Sequence, residues 1–199
     1  MKQLEDNAEA NGTSKLELME RAGKGIASII EKKYGKDKTI LFVCYHGNNG
    51  GDGFTAARYL LENDLDVEVY FCGDEGKLRQ EAKVNYDILF EKYQEAFVSD
   101  GEFERELKDA DIIVDCILGI SAKGDLRDPI KSIIEKINIA KENNNDKIIV
   151  AIDVPTGTNP DTGEKSNVYI QLDLIITMHD IKEGLKDYSD KTEIVDIGL

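Results

Sequence analysis

Short apolar runs alternate along the chain with longer segments in which apolar residues recur every three or four positions. The clearest helical spacing lies between Leu16 and Tyr34, and Gly35 directly after it is a typical helix end. The full pattern predicts helices at residues 16–34, 53–63, about 77–90 and 129–143, with Pro129 at the first position of the last helix. It predicts strands at residues 39–44, 67–71, 112–116, 148–152 and 174–178, with shorter strands at 96–98 and 193–195.

The predicted strands are almost continuously apolar, and helices separate them. Such strands are typical of a parallel sheet that is covered on both faces. The expected fold class is therefore α/β, a three-layer α/β/α, Rossmann-like arrangement around a mainly parallel sheet. The polar stretch 141–146 is short enough to be a surface turn, so we expect residues 1–199 to form a single domain.

Composition and charge narrow the class of protein. Apolar residues make up 41% of the chain, as in globular proteins, and no apolar run approaches the roughly 20 residues needed to cross a bilayer. The formal net charge of -15 argues against binding to nucleic acid backbones, which requires clustered Lys and Arg. The N-terminus also lacks the layout of a secretion signal. We therefore expect a cytoplasmic protein that binds neither nucleic acid nor membrane.

Cysteine and histidine give little support for a soft metal site. Cys44, Cys72 and Cys116 form no CxxC pair, and each ends an apolar run, so we expect buried, reduced thiols. His46 and His179 lie far apart in the sequence, which disfavours zinc ligation.

Ligands of parallel α/β sheets bind beyond the carboxyl ends of the strands, near the point where the strand order reverses. Binding residues are therefore expected in the segments directly after the predicted strands. Three of these segments carry unusual residues, at 45–53, 117–125 and 153–157. They are the candidate walls of a binding site.

The first segment contains the run from Gly47 to Gly53, which holds glycine at four of its seven positions. Glycine permits positive φ and close approach of a ligand, and a helix start offers unpaired N–H groups to an anion. We therefore predict a phosphate-facing loop ahead of a helix that begins at Gly53. The spacing differs from the dinucleotide fingerprint, and the lysine of a P-loop is absent. The alternative is a plain turn in which the asparagines adopt left-handed geometry.

The other two segments place carboxylates at strand ends. Asp115 lies in a buried strand, where an unpaired charge is costly, so it needs a hydrogen-bond partner or a cation. Lys123 is either part of the same site or a solvated loop lysine. Asp153 either caps the following turn or acts as a general acid and base. Side-chain oxygens at Asn49, Asp115 and Thr156 would suit a hard cation better than zinc.

Taken together, these segments resemble the NAD(P)HX epimerases, also called the YjeF N-terminal domain family. The matching segments span nearly the whole chain. They are residues 18–23, 47–53, 115–125, 153–157 and 195–198, and Arg58 and Leu60 match as well. The run Asn-Asn-Gly-Gly-Asp-Gly at 48–53 is highly specific to that family.

The resemblance implies an isomerase that interconverts the R and S forms of NADH or NADPH hydrated at C6 of the nicotinamide ring, a step in nicotinamide nucleotide repair. A separate NAD(P)HX dehydratase would restore the S form, and we expect no fused dehydratase domain here. By the same resemblance, the hydrated nucleotide would bind to Asn48, Asn49, Gly50, Gly51, Asp52, Gly119, Ile120, Ser121, Ala122, Lys123, Gly124, Asp125 and Asp153. Asp153 and Lys123 would be catalytic, and a potassium ion would bind to Asn49, Asp115 and Thr156.

The chain departs from the family pattern at three places. Tyr45-His46 stands where the family usually has Gly-Pro, and Thr156 stands where it has Ser. The late family segment Gly-x-Pro-Lys-x-Gly is His-Asp-Ile-Lys-Glu-Gly at 179–184, so we expect that wall of the pocket to differ.

Two other functional classes compete with the epimerase. The resemblance extends to non-catalytic binding domains, among them a domain of an mRNA-decapping scaffold and apolipoprotein partners, but Asp115, Lys123 and Asp153 together favour an enzyme. An ordinary NAD(P)-dependent dehydrogenase is disfavoured by the displaced glycines. The sequence does not decide between NADHX and NADPHX, or between a monomer and a homodimer.

Overall fold

A computed structural model describes residues 2–10, 12–120 and 124–199. Its α-helices are α1 (Lys2–Ala10), α2 (Lys15–Tyr34), α3 (Asn48–Glu62), α4 (Gln80–Lys92), α5 (Phe103–Asp109) and α6 (Ile130–Asn143). Its strands are β1 (Ile40–Cys44), β2 (Val67–Phe71), β3 (Phe97–Val98), β4 (Ile112–Cys116), β5 (Ile148–Ile152), β6 (Leu174–Met178) and β7 (Thr192–Val195). Short 3-10 segments occupy Glu75–Lys77, Gln94–Ala96 and Glu183–Lys191.

One parallel sheet organises the structure. Its seven strands lie in the order β3-β2-β1-β4-β5-β6-β7, and each of the pairings between these strands is parallel. The chain runs from β1 to one edge, returns to the centre at β4 and then runs to the other edge. The strand order therefore reverses between β1 and β4, where Cys44 lies beside Cys116. This confirms the predicted sheet, and in sheets of this kind ligands bind beyond the carboxyl ends of the strands at such a reversal.

Helices cover both faces of the sheet, which explains why its central strands are almost entirely apolar. Along β1, Ile40, Phe42 and Cys44 belong to the core formed with α2, α3 and α4, whereas Leu41 and Val43 belong to the core formed with α5 and α6. All five of these residues are buried. The predicted three-layer α/β single domain is confirmed.

The central strands match the prediction more closely than the helices do. The predicted strands at 67–71, 112–116, 148–152 and 174–178 coincide with β2, β4, β5 and β6. α4 begins later than predicted because residues 75–77 form a 3-10 turn whose Gly76 N–H bonds the Asp74 side chain. Pro129 is the N-cap of α6 and not its first helical residue. The apolar pattern does not predict the short helices α1 and α5.

A partly buried ion pair joins α2 to α3. Arg58 donates from one guanidinium nitrogen to both Glu20 oxygens at 2.7 Å, and the Tyr59 hydroxyl donates to the same carboxylate at 3.1 Å.

None of the described helices combines the length and the apolar character that a bilayer crossing requires.

Candidate functional site

The glycine-rich run forms the first turns of a helix, not a loop. α3 begins at Asn48, directly after its N-cap Gly47, so the predicted helix start at Gly53 is wrong. Gly47 has a φ of -84°, and no glycine of the run is among the described glycines with positive φ. The phosphate-facing loop is therefore corrected to a helix N-terminus, and the alternative with left-handed asparagines is wrong as well.

Close packing explains why the run is rich in glycine. A Cβ at Gly50 would overlap the carbonyl oxygen of Tyr45, which precedes α3 in the chain. A Cβ at Gly53 would lie 2.7 Å from the Cys116 sulfur and 2.8 Å from the Cys44 sulfur. The missing side chains let the N-terminus of α3 approach β1 and β4 at the point where the strand order reverses.

Asp115 of β4 is tied to the segment that follows β5. Its side chain is fully buried; Oδ1 accepts hydrogen bonds from the Thr156 hydroxyl at 2.7 Å and the Ile117 N–H at 3.2 Å. Oδ2 accepts from the Thr156 N–H at 2.8 Å. Burial raises the pKa of Asp115 to about 6, although these hydrogen bonds oppose the rise. The hydrogen-bond partner that Asp115 requires is thus Thr156, through both its backbone N–H and its hydroxyl.

Asn49 of α3 reaches the same cluster through Leu118. Its Nδ2 donates to the Leu118 carbonyl at 3.0 Å, while the Leu118 N–H donates to the Thr156 hydroxyl at 3.2 Å. The Asn49 Oδ1 is buried and has no hydrogen-bond partner within the described part of the chain. The hydrogen bonds therefore connect Asn49, through Leu118, to Thr156 and Asp115.

Asp153 follows β5 and has the left-handed φ of 63°. Its Oδ1 lies 2.5 Å from the Lys182 Nζ and accepts a hydrogen bond from the Thr177 hydroxyl at 3.2 Å. Its Oδ2 faces Gly119, because a Cβ added there would lie 3.8 Å from this oxygen. The carboxylate is thus held by β6 and the segment after it, and it faces the segment after β4.

The contact between Lys182 and Asp153 was not predicted from the sequence. The one indication in the sequence is that Lys182 occupies the Lys position of the family segment at 179–184. Thr177, which accepts from the Lys182 Nζ at 2.7 Å, gives no sequence signal because it lies within an apolar strand.

Two cavities open beside these residues. The larger has a volume of about 500 Å³ and lies between the segments that follow β4 and β5; Gly119, Gly124, Asp125 and Thr156 are among its lining residues. The smaller, about 60 Å³, is lined by Asn48, Asp52 and residues of α2, α4 and β6. Asp153 lines neither cavity but faces Gly119, which lines the larger one.

The remaining predicted binding residues are only partly accounted for. Gly51 packs against Met19, and the half-buried Ile120 packs against the apolar cluster that contains Val154 and Leu185. The predicted residues Ser121, Ala122 and Lys123 lie outside the described residues. Across the described ranges, no group of three or more His, Cys, Asp or Glu side chains is placed to hold a metal ion.

Comparison with known proteins decides the family. The profile of the family described as YjeF-related protein N-terminus matches residues 15–184, which include each described residue of the site. The chain belongs to this family. Membership agrees with the resemblance seen in the sequence.

Relatives within the family carry two kinds of name. The chain is 34% identical to the NAD(P)H-hydrate epimerase of Cenarchaeum symbiosum, with 100% of this chain and 92% of that protein covered. It is 38% identical to the bifunctional NAD(P)H-hydrate repair enzyme Nnr of Methanothermobacter thermautotrophicus, with 97% of this chain covered, but it spans only 38% of that protein. The crystal structure of yeast ynu0 has a TM-score of 0.74 and 27% identity, and the match covers 89% of this chain and 76% of that chain.

Proposed function

We propose that this protein is an NAD(P)H-hydrate epimerase, which interconverts the R and S forms of NADH or NADPH hydrated at C6 of the nicotinamide ring. The observation that carries the proposal is the Asp153 carboxylate, which is anchored through Oδ1 and directs Oδ2 towards Gly119. The names of the epimerase relatives support it, since one of them matches this chain over 92% of its own length. Action in the cytoplasm and coupling to a separate dehydratase belong to the same proposal.

The proposed reaction proceeds by loss and return of water. In the hydrate, the hydroxyl at C6 is next to the ring nitrogen, whose lone pair expels it and forms a C6=N1 iminium. The hydroxyl takes one proton from the Asp153 and Lys123 pair and leaves as water. A water molecule then adds to the other face of C6 and returns one proton to the pair. General acid–base assistance of this kind supplies about 10²–10⁴-fold in rate.

The nucleotide is proposed to bind across the ends of β1 and β4. The binding residues we propose are Asn48, Asn49, Gly50, Gly51, Asp52, Gly119, Ile120, Ser121, Ala122, Lys123, Gly124, Asp125 and Asp153. The 500 Å³ cavity supports this assignment because it adjoins Gly119 and Gly124 and is large enough for part of a nucleotide. The N-terminus of α3 supports it as well, since helix starts attract anionic groups.

A potassium ion is proposed to bind to Asn49, Asp115 and Thr156. These residues fit a hard cation because each has a side-chain oxygen, because the Asn49 Nδ2 is already bonded to the Leu118 carbonyl, and because the Asn49 Oδ1 is buried and has no donor among the described residues. When bound, the ion would supply positive charge beside the nucleotide. The Asp115 carboxylate and the Thr156 hydroxyl would hold it from β4 and the segment after β5.

Thermal unfolding tests the potassium proposal without reference to activity. Potassium at 100 times its Kd should stabilise the protein by about 2.7 kcal/mol relative to the larger tetramethylammonium ion. Asn49→Ala should abolish the difference between the two salts, while Asn145→Ala, a change at an exposed turn residue, should preserve it. Equal stability of the wild type in both salts would contradict the proposal.

Isomer exchange tests the enzyme. One purified isomer of hydrated NADH is incubated with the protein, and chromatography follows the appearance of the other isomer. We expect the exchange to be faster with the protein than without it, and equal rates would favour a non-catalytic binding domain. In ¹⁸O water the label should enter the C6 hydroxyl as fast as the isomers exchange; exchange without label would rule out loss of water.

A further inference from the structure

The two oxygens of the Asp153 carboxylate have different surroundings. Oδ1 is paired with the Lys182 Nζ at 2.5 Å and accepts from the Thr177 hydroxyl at 3.2 Å. Oδ2 receives no hydrogen bond from any residue of 2–10, 12–120 or 124–199, and it faces the position that a side chain at Gly119 would occupy. One oxygen is therefore fixed by the protein, and the other faces the proposed substrate site.

Lys182 is itself held in place by several acceptors. Its Nζ donates to the Thr177 hydroxyl at 2.7 Å and to the carbonyls of Met178 and Asp180 at 3.2 and 3.4 Å. Only 11% of its side chain is exposed. A lysine side chain loses much rotamer freedom when it is fixed in this way. Its conformation is thus determined by the end of β6 rather than by solvent.

The backbone after β6 places Lys182 at this point. The chain leaves β6 through His179, whose φ of 66° is left-handed, and turns back over the site. A Cβ at Gly184 would overlap the backbone nitrogen of Gly163, and the Gly184 N–H donates to the Pro160 carbonyl at 2.8 Å. Leu185 is 1% exposed and anchors the segment in an apolar cluster. Both ends of the turn that carries Lys182 are therefore fixed.

A purely structural ion pair would not require this asymmetry. Burying two charges is costly, and apolar side chains of similar size often stabilise a fold as well or better. Oδ1 of Asp153 takes up the Lys182 charge, while Oδ2 is left available to a ligand beside Gly119.

We propose that Lys182 is a positioning residue for the epimerisation. It holds Oδ1 of Asp153, together with Thr177, so that Oδ2 is the oxygen that accepts the proton of the water adding to C6. This inference rests on the proposed function. It assigns to Lys182 a role separate from that of Lys123, which is proposed to exchange protons with the substrate.

The test compares Lys182→Met with the wild type and with Lys186→Met. Lys186 lies four residues after Lys182, but 63% of its side chain is exposed, so it controls for loss of a nearby charge. Epimerisation of one purified isomer of hydrated NADH gives kcat and KM. We expect Lys182→Met to lower kcat by about 100-fold or more with KM unchanged, because proton transfer is lost while binding is retained. Lys186→Met should match the wild type.

Chemical rescue distinguishes positioning from folding. Lys182→Ala should regain activity in ethylammonium, which can donate hydrogen bonds, but not in tetramethylammonium, which cannot. If Lys182→Met does not fold, the shape-conserving Thr177→Val replaces it, and a lower kcat with unchanged KM is again expected.

If the wild type is active and kcat does not fall for Lys182→Met, or for Thr177→Val in its place, the role of Lys182 is overturned. The proposed function is not affected by that result. Equal falls in kcat and in nucleotide binding would also overturn the role of Lys182. An inactive wild type would overturn the proposed function, and the role of Lys182 with it.

Discussion

Gly50 offers a direct test of the conclusion that packing, and not backbone conformation, requires the glycines at the start of α3. A Cβ at Gly50 would overlap the carbonyl oxygen of Tyr45, whereas a Cβ at Gly47 would have no neighbour within 4 Å. Gly50→Ala should therefore destabilise the fold much more than Gly47→Ala. If both glycines served a flexible loop with positive φ, the two substitutions would be comparably harmful.

The expected loss reflects two opposing effects. Overpacking costs about 1–3 kcal/mol, and the upper part of that range applies because the Tyr45 carbonyl is backbone and cannot rotate away. Alanine within a helix recovers about 1 kcal/mol relative to glycine. The net loss for Gly50→Ala is about 2 kcal/mol, or roughly 4–8 °C in Tm for a chain of this size. Gly47→Ala exchanges a tolerated N-cap residue for a poor one, at a cost below about 1 kcal/mol.

Urea unfolding followed by circular dichroism measures this difference, since the chain contains no Trp for fluorescence. Gly101→Ala is a second control, because a Cβ at that exposed position would also have no neighbour within 4 Å. Gly50→Ala should unfold at clearly lower urea than both controls. Equal midpoints for Gly50→Ala and Gly47→Ala would refute the packing argument.

Two further predictions concern titratable groups away from the site. Burial, and to a smaller extent the nearby Glu106 carboxylate, raise the pKa of Glu68 from 4.5 to about 7. The folded state therefore favours the protonated side chain, and this contribution to stability is complete below pH 4.5 and is lost as the pH rises through 7. Glu68→Gln should therefore raise the urea midpoint relative to wild type at pH 8 but not at pH 4; an equal difference at both values would contradict this. Lys147 is buried and donates to the carbonyls of Ala110 and Lys108, and burial lowers its pKa. Lys147→Met should cost about 1–3 kcal/mol in urea unfolding, because it removes the donor to these carbonyls, with no change in epimerisation rate.

The sheet could be predicted from the sequence because its central strands are short, apolar and separated by helical patterns. The same regularity placed Asp115 and Asp153 at strand ends, where parallel topology brings side chains together. Thr156 as the partner of Asp115 agrees with this topology, since β4 and β5 are neighbours in the sheet.

The start of α3 could not be predicted in the same way. Gly and Asn are poor helix formers, so local preference indicated a loop from Gly47 to Gly53. Close packing on β1 and β4 outweighs that preference, and packing partners such as Cys116 are distant in sequence. Lys182 was missed for a related reason, because its approach to Asp153 depends on a left-handed turn after β6 that the residue types do not indicate.

The most direct test of the proposed function is the effect of Asp153→Asn on isomer exchange, measured beside nucleotide binding. Asparagine retains the size of the side chain but cannot accept the proton of the adding water. One purified isomer of hydrated NADH is incubated with each protein, and equilibrium dialysis measures NADH binding. We predict that the variant binds NADH as the wild type does and converts the isomers no faster than buffer. Wild-type exchange by Asp153→Asn would contradict the central role of this carboxylate.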